Sequence, residues 1–271
     1  MPEYVLGAND KELARLTLQQ EVWGGVTERF LDRVGVKSGA RVLDVGCGPG
    51  LVIESLRRRV GPAGRIDALD QSAMWHQHLQ RTARDKEWGN VRLMDARIED
   101  AALDDGAYDL VFARWTLSFM PDVGAIVKRL AKALKPGGVL AVEDYNHEGI
   151  SLFPESEGFK AVVWATRRLY GSRGGDIWVA TRLPKVFADA GLALVDYTPN
   201  AIAGGPSSGA FRWADAFFPP HSEQMVAAGL LTAKDRAQFL SEWEERKRDP
   251  TSVFFSPIVV DAAGRKPLRP G

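Results

Sequence analysis

The sequence predicts an α/β protein whose mainly parallel sheet is covered by helices on both faces. Short apolar strands alternate with helical patterns through the first half of the 271-residue chain, which is typical of such sheets. The first strand also runs directly into a glycine-rich turn, a junction at which α/β proteins bind nucleotide-like ligands. The length is sufficient for one large α/β domain, so we expect a single domain over 1–271.

The glycine-rich turn has the sequence G-C-G-P-G over residues 46–50, and a helical pattern begins at Leu51. Glycines let a ligand lie against the main chain, and the start of the following helix offers unpaired N–H groups. The spacing differs from the G-x-G-x-x-G of pyrophosphate-binding folds. Asp44, at the end of the strand, also places negative charge near the turn, which suits a cation better than a phosphate.

The second strand, residues 65–70, supplies a candidate for ribose binding. It ends in Asp70, about 20 residues after Gly50, which is the spacing at which an acid meets a ribose in dinucleotide-binding folds. Asp67 is an alternative, but it lies within the strand rather than at its end. We therefore expect Asp70 to accept hydrogen bonds from both ribose hydroxyls.

Three more motifs follow in order. A third strand, 90–94, leads to Asp95, and a fourth, 108–113, leads to Arg114 and Trp115. The sequence K-P-G-G then opens a fifth strand, which ends at Glu143. With the V-L-D-x-G-x-G-x-G of the first turn, these motifs resemble the class I (Rossmann-like) S-adenosylmethionine-dependent methyltransferases of small-molecule type. The resemblance is strong from Val42 to Glu143 and rests on pattern alone beyond it.

The resemblance implies S-adenosyl-L-methionine as the cofactor and S-adenosyl-L-homocysteine as its product. It implies that Asp95 receives the adenine amino group and that the chain near Arg114 meets the methionine part. The leading helix, expected over 10–31, resembles that of a small-molecule subgroup and implies a contact from Gln19. The predicted cofactor-binding residues are Gln19, Asp44, Gly46, Gly48, Gly50, Asp70, Gln71, Met74, Asp95, Ala96, Arg97 and Arg114.

The family pattern implies a three-layer sandwich with a seven-stranded, mostly parallel sheet whose last strand is antiparallel. A helical insert separates the last two strands, and its helix-like segments are 211–217, 222–228 and 232–248. A strand over 253–260 closes the sheet, and the tail after Gly264 is expected to fray. The expected parts are N-terminal cap helices over 1–36, a cofactor-binding core over 37–197, a lid over 198–251 and a last strand over 252–264.

Aromatic residues are concentrated in the second half of the chain, in or near the added segments. Either they form a core beneath a lid or they line a pocket, and both interpretations remain open. The pocket interpretation predicts a small, partly apolar organic acceptor. The residues expected to bind it are Trp115, Tyr145, Trp178, Phe211, Trp213 and Phe217.

The chemistry requires an acceptor held in line with the sulfonium methyl group in a dry site, together with a base where the acceptor carries a proton. We expect that base at the end of the fifth strand or just after it, because ligands lie at the carboxyl edge of such sheets. His147 titrates in the useful range, and Glu143 and Asp144 are alternatives on the same segment. His221, in the insert, is a further alternative.

Composition narrows the function. The 35 basic and 35 acidic residues balance, which disfavours a nucleic-acid partner. Neither an apolar run of membrane-spanning length nor a basic, apolar leader is apparent, so we expect a cytoplasmic monomer or homodimer without a membrane partner. No grouping of His, Cys and carboxylates has metal-site spacing. A protein of this fold that uses bound cofactor as a scaffold for cyclisation or rearrangement, or that only binds a ligand, remains the alternative.

Overall fold

The computed structural model describes residues 9–268. The expected cap begins at residue 1, and residues 1–8 lie outside the described part. Ten strands are found within it: β1 Arg41–Val45, β2 Arg65–Asp70, β3 Val91–Asp95, β4 Tyr108–Arg114, β5 Leu134–Asn146, β6 Ser151–Phe153, β7 Ala193–Asn200, β8 Ala203–Gly204, β9 Val253–Phe255 and β10 Ile258–Arg265. Eight α-helices accompany them: α1 Asp10–Val34, α2 Ile53–Val60, α3 Ala73–Asp85, α4 Val123–Ala133, α5 Glu157–Ser172, α6 Val179–Asp189, α7 Gly209–Ala227 and α8 Ala233–Arg248.

Seven strands form the main sheet in the order β3-β2-β1-β4-β5-β10-β7. The pairs among β1 to β5 are parallel, whereas β10 runs antiparallel to both β5 and β7. This architecture confirms the predicted fold class. Because parallel strands end at the same edge, the carboxyl ends of β1, β2, β4 and β5 meet there, and the segments that follow them can share a ligand.

Apolar side chains alternate between the two faces of the sheet, as strand geometry requires. Leu43 and Val111 pack in one buried cluster with α4 and α6. Val42 and Phe112 point to the other face and pack with α2 and with the end of α1, where Phe30 lies. Both faces are therefore covered, which gives the three layers.

Helix α1 begins and ends on ordinary capping signals. The side chain of Asn9 accepts a hydrogen bond from the backbone N–H of Glu12, and Gly35 ends the helix in the left-handed conformation with φ of 73°. Its buried positions fall at helical spacing and include the polar residues Arg15, Gln19 and Thr27. Polar groups on a buried helix face need partners inside the protein, and these three have them in the site described below.

The strand predicted over 253–260 is two strands in the structure. It breaks at Ser256 and Pro257, where Ser256 Oγ accepts a hydrogen bond from the backbone N–H of Ile202. Proline cannot donate to a strand ladder, so pairing stops there and restarts in β10. Strand β9 instead joins β6 and β8 in a small antiparallel sheet. Strand β10 continues to Arg265, one residue beyond the position after which fraying was expected.

The added half of the chain differs from the prediction in two helices. Helix α5 has no counterpart among the sequence-based predictions. Helix α7 is continuous across Pro219 and Pro220, although the sequence predicts two helices there. Helices α1, α5, α7 and α8 share an aromatic core in which Phe211 stacks on Trp243 at 4.8 Å between ring centroids.

Candidate functional site

A cavity of about 350 Å³ lies at the carboxyl edge of the sheet and is closed from above by residues of α1, α5 and α7. Its size is that of a small-molecule site. It brings together twelve of the residues predicted from sequence: Gln19, Asp44, Gly46, Gly48, Asp70, Gln71, Ala96, Arg97, Arg114, Trp115, Tyr145 and Phe217.

The glycine-rich turn lies at the floor of this cavity, where Gly46 leaves no room for a side chain. Gly46 has φ of +65°, and a Cβ atom on it would lie 2.5 Å from Thr116 Oγ1. Thr116 in turn donates from Oγ1 to the carbonyl of Val45 at 3.1 Å, which fixes it against the turn. Gly46 therefore meets both the conformational and the steric requirement for glycine.

Asp70 is held at the cavity by the backbone. Its Oδ2 accepts a hydrogen bond from the N–H of Gly48 at 2.8 Å, and its Oδ1 accepts one from the N–H of Ser72 at 2.8 Å. Burial raises the pKa of Asp70, and these backbone donors act in the opposite direction. The carboxylate is thus positioned by main-chain groups on both sides.

Asp67, the alternative on the same strand, does not line the cavity. It is fully buried and accepts hydrogen bonds from Arg41, Arg92 and Tyr108. Burial acts to raise the pKa of Asp67, but these hydrogen bonds outweigh it and hold the pKa below its usual value. Asp67 is therefore engaged within the fold, whereas Asp70 faces the cavity.

Asp44 lines the cavity without a hydrogen-bond partner for its side chain among residues 9–268. Its Oδ2 is fully buried. Burial raises the pKa of Asp44 to about 7, with Arg114 opposing the rise and Asp70 adding to it. A buried carboxyl group without a partner is costly, and a cationic or hydrogen-bond-donating ligand would supply the missing contact.

Arg114 and Trp115 follow β4 and form the wall beside Asp44. The guanidinium of Arg114 donates from Nη1 to Thr27 Oγ1 at 2.9 Å and lies 4.7 Å from the Trp115 ring centroid. Trp115 has φ of 49°, a conformation unusual for a residue with a bulky side chain. Its N–H donates to the Glu143 carbonyl at 2.8 Å, and its ring stacks on Tyr145 at 6.1 Å. Such strain persists only where the surroundings fix it, which is common at ligand sites.

The roof joins α1 to α7. Arg15 donates two hydrogen bonds to Glu12 and one from Nη1 to Gln19 Oε1 at 2.8 Å. Gln19 Oε1 also accepts from Trp213 Nε1 at 3.1 Å. Arg and Trp side chains only donate, so the oxygen of the Gln19 amide must face them. Phe217, one turn along α7 from Trp213, lines the cavity directly.

The part of the cavity beside β4 and β5 is mainly aromatic. Phe119 stacks on Tyr170 at 5.1 Å, and both line the cavity with Arg173. These three residues, together with Arg15 and Thr27, are absent from the ligand-binding residues that the sequence predicts. A helical pattern from the Ser156 N-cap to Tyr170 was the signal that could have revealed α5, and the buried face of α1 was the signal for Arg15 and Thr27.

Several residues predicted to bind ligand lie away from the cavity lining. Gly50 packs against the Leu79 side chain, and Asp95 is exposed at the end of β3. Met74 lies on α3 next to Trp75, which does line the cavity. The remaining three are aromatic residues that contact other parts of the protein. Trp178 donates a hydrogen bond to Glu148, Phe211 stacks on Trp243, and Trp213 donates a hydrogen bond to Gln19.

The three predicted catalytic groups also lie outside the cavity lining. Strand β5 continues to Asn146, so Glu143 and Asp144 are fully buried within the sheet. Asp144 accepts hydrogen bonds from the N–H groups of Thr116 and Ser118, and burial raises its pKa to about 6. It thereby holds the turn after β4. Burial also raises the pKa of Glu143 to about 8.

His147 is buried beyond the end of β5, where Arg167 donates from Nη2 to its carbonyl at 2.6 Å. Burial, with the charge of Arg167, lowers the pKa of His147 to about 3. An imidazole with so low a pKa is a weak base at neutral pH. His221, the alternative in the insert, is buried against Phe217, and its Nδ1 lies 2.7 Å from the Phe217 carbonyl.

Residues 42–138 match a family described as a methyltransferase domain. Over this segment the chain is similar to known methyltransferase domains. The matched segment begins within β1 and ends within β5, and it contains the glycine-rich turn, Asp70 and Arg114. The part of the cavity beside β1 and β2 is therefore built from the matched segment, whereas α1, α5 and α7 lie outside it.

Curated proteins similar to this chain include two that are methyltransferases by name. The chain is 32% identical over 118 residues to nocamycin O-methyltransferase of Saccharothrix syringae, covering 44% of this chain and 42% of that protein. It is 28% identical over 138 residues to demethylmenaquinone methyltransferase of Staphylococcus aureus, covering 51% of this chain and 55% of that protein. The chain thus spans about half the length of the curated relatives it matches.

Solved structures show the fold over a larger share of the chain. The YcgJ protein of Bacillus subtilis superposes with a TM-score of 0.61 at 17% identity, covering 90% of this chain and 97% of that chain. The [4+2]-cyclase SpnF superposes with a TM-score of 0.55 at 21% identity, covering 92% of this chain and 84% of that chain. At these identities the likeness establishes the fold alone.

Between residues 9 and 268 no group of three or more His, Cys, Asp or Glu side chains is arranged to hold a metal ion. None of the helices in the same range combines the length and the apolar composition that crossing a membrane requires.

Proposed function

We propose that the protein transfers the methyl group of S-adenosyl-L-methionine to a small, partly apolar organic acceptor and releases S-adenosyl-L-homocysteine. The observation that carries this proposal is the carboxyl group of Asp44, which has no hydrogen-bond partner among residues 9–268, beside the backbone-held carboxylate of Asp70 at the glycine-rich turn. A cofactor with a cationic methionine part and a neutral ribose fits these two groups, whereas a pyrophosphate does not. The methyltransferase family of residues 42–138 supports the same assignment.

The residues present fit this cofactor. Asp70 would accept hydrogen bonds from the ribose hydroxyls, and Asp44 would face the positive charge of the methionine part. Ala96 and Arg97, after β3, line the cavity on the side where the adenine would lie. Gln19 presents the N–H groups of its amide to the cavity because its oxygen is held by Arg15 and Trp213. The cofactor itself supplies an electrophilic methyl group.

The acceptor is proposed to bind against the aromatic part of the cavity, which contains Trp115, Phe119, Tyr145, Tyr170 and Phe217. In the described chain, the cavity residues on the segments that follow β4 and β5 and on α5 and α7 include no His and no carboxylate. The protein therefore contributes positioning and exclusion of water rather than a strong base. An acceptor atom that is nucleophilic without the help of a protein base fits this arrangement.

The same absence of a base in this part of the described cavity gives a second candidate some support. A protein that keeps the cofactor bound while an acceptor cyclises or rearranges needs a shaped aromatic cavity and no proton acceptor. The two functions differ in one product, because only methyl transfer consumes S-adenosyl-L-methionine. The methyltransferase family match favours methyl transfer.

Calorimetric titration of the purified protein with S-adenosyl-L-methionine, S-adenosyl-L-homocysteine and NADH tests the cofactor. We expect binding of the first two and none of NADH, and the reverse result would refute the family assignment for this site. Incubation with metabolite extracts and S-adenosyl-L-methionine then tests the reaction. Methyl transfer predicts a product heavier by one methylene group and matching formation of S-adenosyl-L-homocysteine, whereas a new product of unchanged mass without cofactor consumption indicates rearrangement.

A further inference from the structure

Thr27 connects the N-terminal helix to the cavity wall through two hydrogen bonds. Arg114 Nη1 donates to Thr27 Oγ1 at 2.9 Å, and Thr27 Oγ1 lies 2.9 Å from Glu143 Oε1. A guanidinium only donates, so the hydroxyl oxygen accepts from Arg114 and its single hydrogen is directed to Glu143. Thr27 is buried, and its hydroxyl has no other hydrogen bond among the described residues.

Arg114 is held by a neutral group although two carboxyl groups lie nearby. Its electrostatic partners are Asp44 on β1 and Glu143 on β5, on opposite sides of its own strand. Among residues 9–268, however, neither carboxyl group is within ion-pair distance of the guanidinium, and the bond to Thr27 is its sole hydrogen bond. The Trp115 ring, 4.7 Å away, fixes its other side.

This arrangement has a consequence for Asp44. Without the Thr27 hydroxyl, the half-buried guanidinium would lose its hydrogen-bond acceptor, which is unfavourable. The cavity wall offers Asp44, whose side chain accepts no hydrogen bond. A guanidinium that moved onto Asp44 would satisfy both groups and would occupy the carboxylate with an internal ion pair.

We propose that Thr27 is a positioning residue that holds Arg114 away from Asp44 and so keeps the Asp44 carboxylate open to the ammonium group of the cofactor's methionine part. This inference rests on the proposed function, because it takes the ligand to be S-adenosyl-L-methionine or its product. Arg114 then acts as a restrained competitor of the ligand: it lies close enough to stabilise the ionised form of Asp44 but does not pair with it.

Two ligands separate this role from a general loss of shape. S-Adenosyl-L-homocysteine carries the ammonium group, whereas 5′-methylthioadenosine has the same adenosine and sulfur but lacks the amino-acid part. Calorimetry should show Thr27→Val weakening S-adenosyl-L-homocysteine about tenfold, the equivalent of one lost polar contact, while 5′-methylthioadenosine binding stays within about twofold. Thr27→Ser, which keeps the hydroxyl, should bind both ligands as the wild type does.

Thr166→Val is the matched control. Thr166 is as buried as Thr27, and its hydroxyl donates to a helix carbonyl, but unlike Thr27 it has no hydrogen bond with Arg114. This variant should lose stability without losing affinity for either ligand. Thr27→Ala provides a second variant without the hydroxyl should Thr27→Val fail to fold.

A double-mutant cycle tests the competitor itself. If Arg114 is what blocks Asp44, Thr27→Val should have no further effect on S-adenosyl-L-homocysteine affinity in an Arg114→Met background. Wild-type affinity in Thr27→Val, equal weakening of both ligands, or a full Thr27→Val effect without Arg114 would each overturn the proposal. Absence of S-adenosyl-L-homocysteine binding by the wild type would instead refute the proposed function, and this inference with it.

Discussion

The two parts of the cavity recognise a ligand in different ways. Beside β1 and β2, the groups that face the cavity are carboxyl groups and a glycine-rich turn, and Asp70 is positioned by N–H groups of the main chain. Beside β4 and β5, aromatic side chains face it, and they come from β5, α5, α7 and the segment after β4. The first part is a short local motif, whereas the second is assembled by packing between distant segments.

This difference separates affinity for a common cofactor from selectivity for an acceptor. Asp70 should tolerate little change in the ligand, because the main-chain groups that hold its carboxylate cannot move independently of the strand and turn. Aromatic walls tolerate substitution when their volume is retained. Substitution of Asp70 should therefore weaken cofactor binding. Substitutions in the aromatic part should lower the stability of the protein at some positions and change its selectivity for the acceptor at others.

The largest expected effect is on stability. Phe211 is buried, stacks on Trp243 at 4.8 Å and does not line the cavity. Phe211→Ala should lower the free energy of unfolding by about 3–5 kcal/mol, as other large-to-small changes of buried aromatic residues do. Phe217→Ala should cost less stability and change acceptor selectivity, because Phe217 lines the cavity. Chemical denaturation measures the loss of stability in both variants, and acceptor kinetics measure the change in selectivity. Equal losses of stability would contradict the assignment of Phe211 to the core and Phe217 to the cavity.

The next effect is on cofactor binding. Asp70→Ala should weaken S-adenosyl-L-homocysteine by about 2–4 kcal/mol, because two charge-assisted hydrogen bonds to the ribose are lost. It should also loosen the turn, since Gly48 and Ser72 lose their acceptor. Calorimetry and circular dichroism of the same preparation separate the two contributions. Unchanged affinity in a folded variant would remove Asp70 from the cofactor site.

A smaller effect concerns the dependence of stability on pH. Burial raises the pKa of Glu143 to about 8, above the usual value near 4 of an unfolded chain. The folded state thus binds a proton that the unfolded state has released, so the stabilisation is complete below about pH 4 and is lost as the pH rises towards about 8. Glu143→Gln should reduce the slope with which the free energy of unfolding falls as the pH rises, by at most about 1.4 kcal/mol per pH unit. Melting temperatures of the wild type and of Glu143→Gln, measured from pH 5 to 8, test this prediction. The same dependence of melting temperature on pH in both proteins would contradict it.

The smallest expected effect is that of His147 on turnover. Because its pKa is lowered to about 3 and it lies outside the cavity lining, His147→Ala should change kcat by less than about threefold. A general base would contribute about a hundredfold or more. Steady-state kinetics once an acceptor is in hand give the answer, and a hundredfold loss in a folded variant would restore His147 as the base.

The sequence was sufficient for the parts of the fold that local motifs specify. Strand β2 has the predicted bounds, 65–70, because its apolar run ends at an acid before a helix cap. The break between β9 and β10 at Pro257 shows the limit, since an apolar run alone does not reveal that proline divides it between two sheets. Similarly, Pro219 and Pro220 favour a helix end in isolation, but the packing of α7 keeps the helix continuous.

The site divides in the same way. Asp44, Gly46 and Asp70 were predictable because residues near in sequence set their positions. Thr27 and Tyr170 were not, since their places depend on how α1 and α5 pack on the sheet, and buried polar groups on amphipathic helices give no sequence signal of their partner. The candidate base was predicted from chain position alone. Burial of Glu143, Asp144 and His147 depends on the length of β5, which the sequence underestimated.

The hydrogen bond between Gln19 and Trp213 bears on how this scaffold could be redesigned. This bond joins residues 194 positions apart, on the first and the seventh α-helix of the described chain. Exchanging the insert alone with that of a relative would remove one of the two donors, Arg15 and Trp213, that orient Gln19. A productive chimera should therefore transplant α1 and α7 together as one discontinuous module and keep the sheet and its glycine-rich turn unchanged.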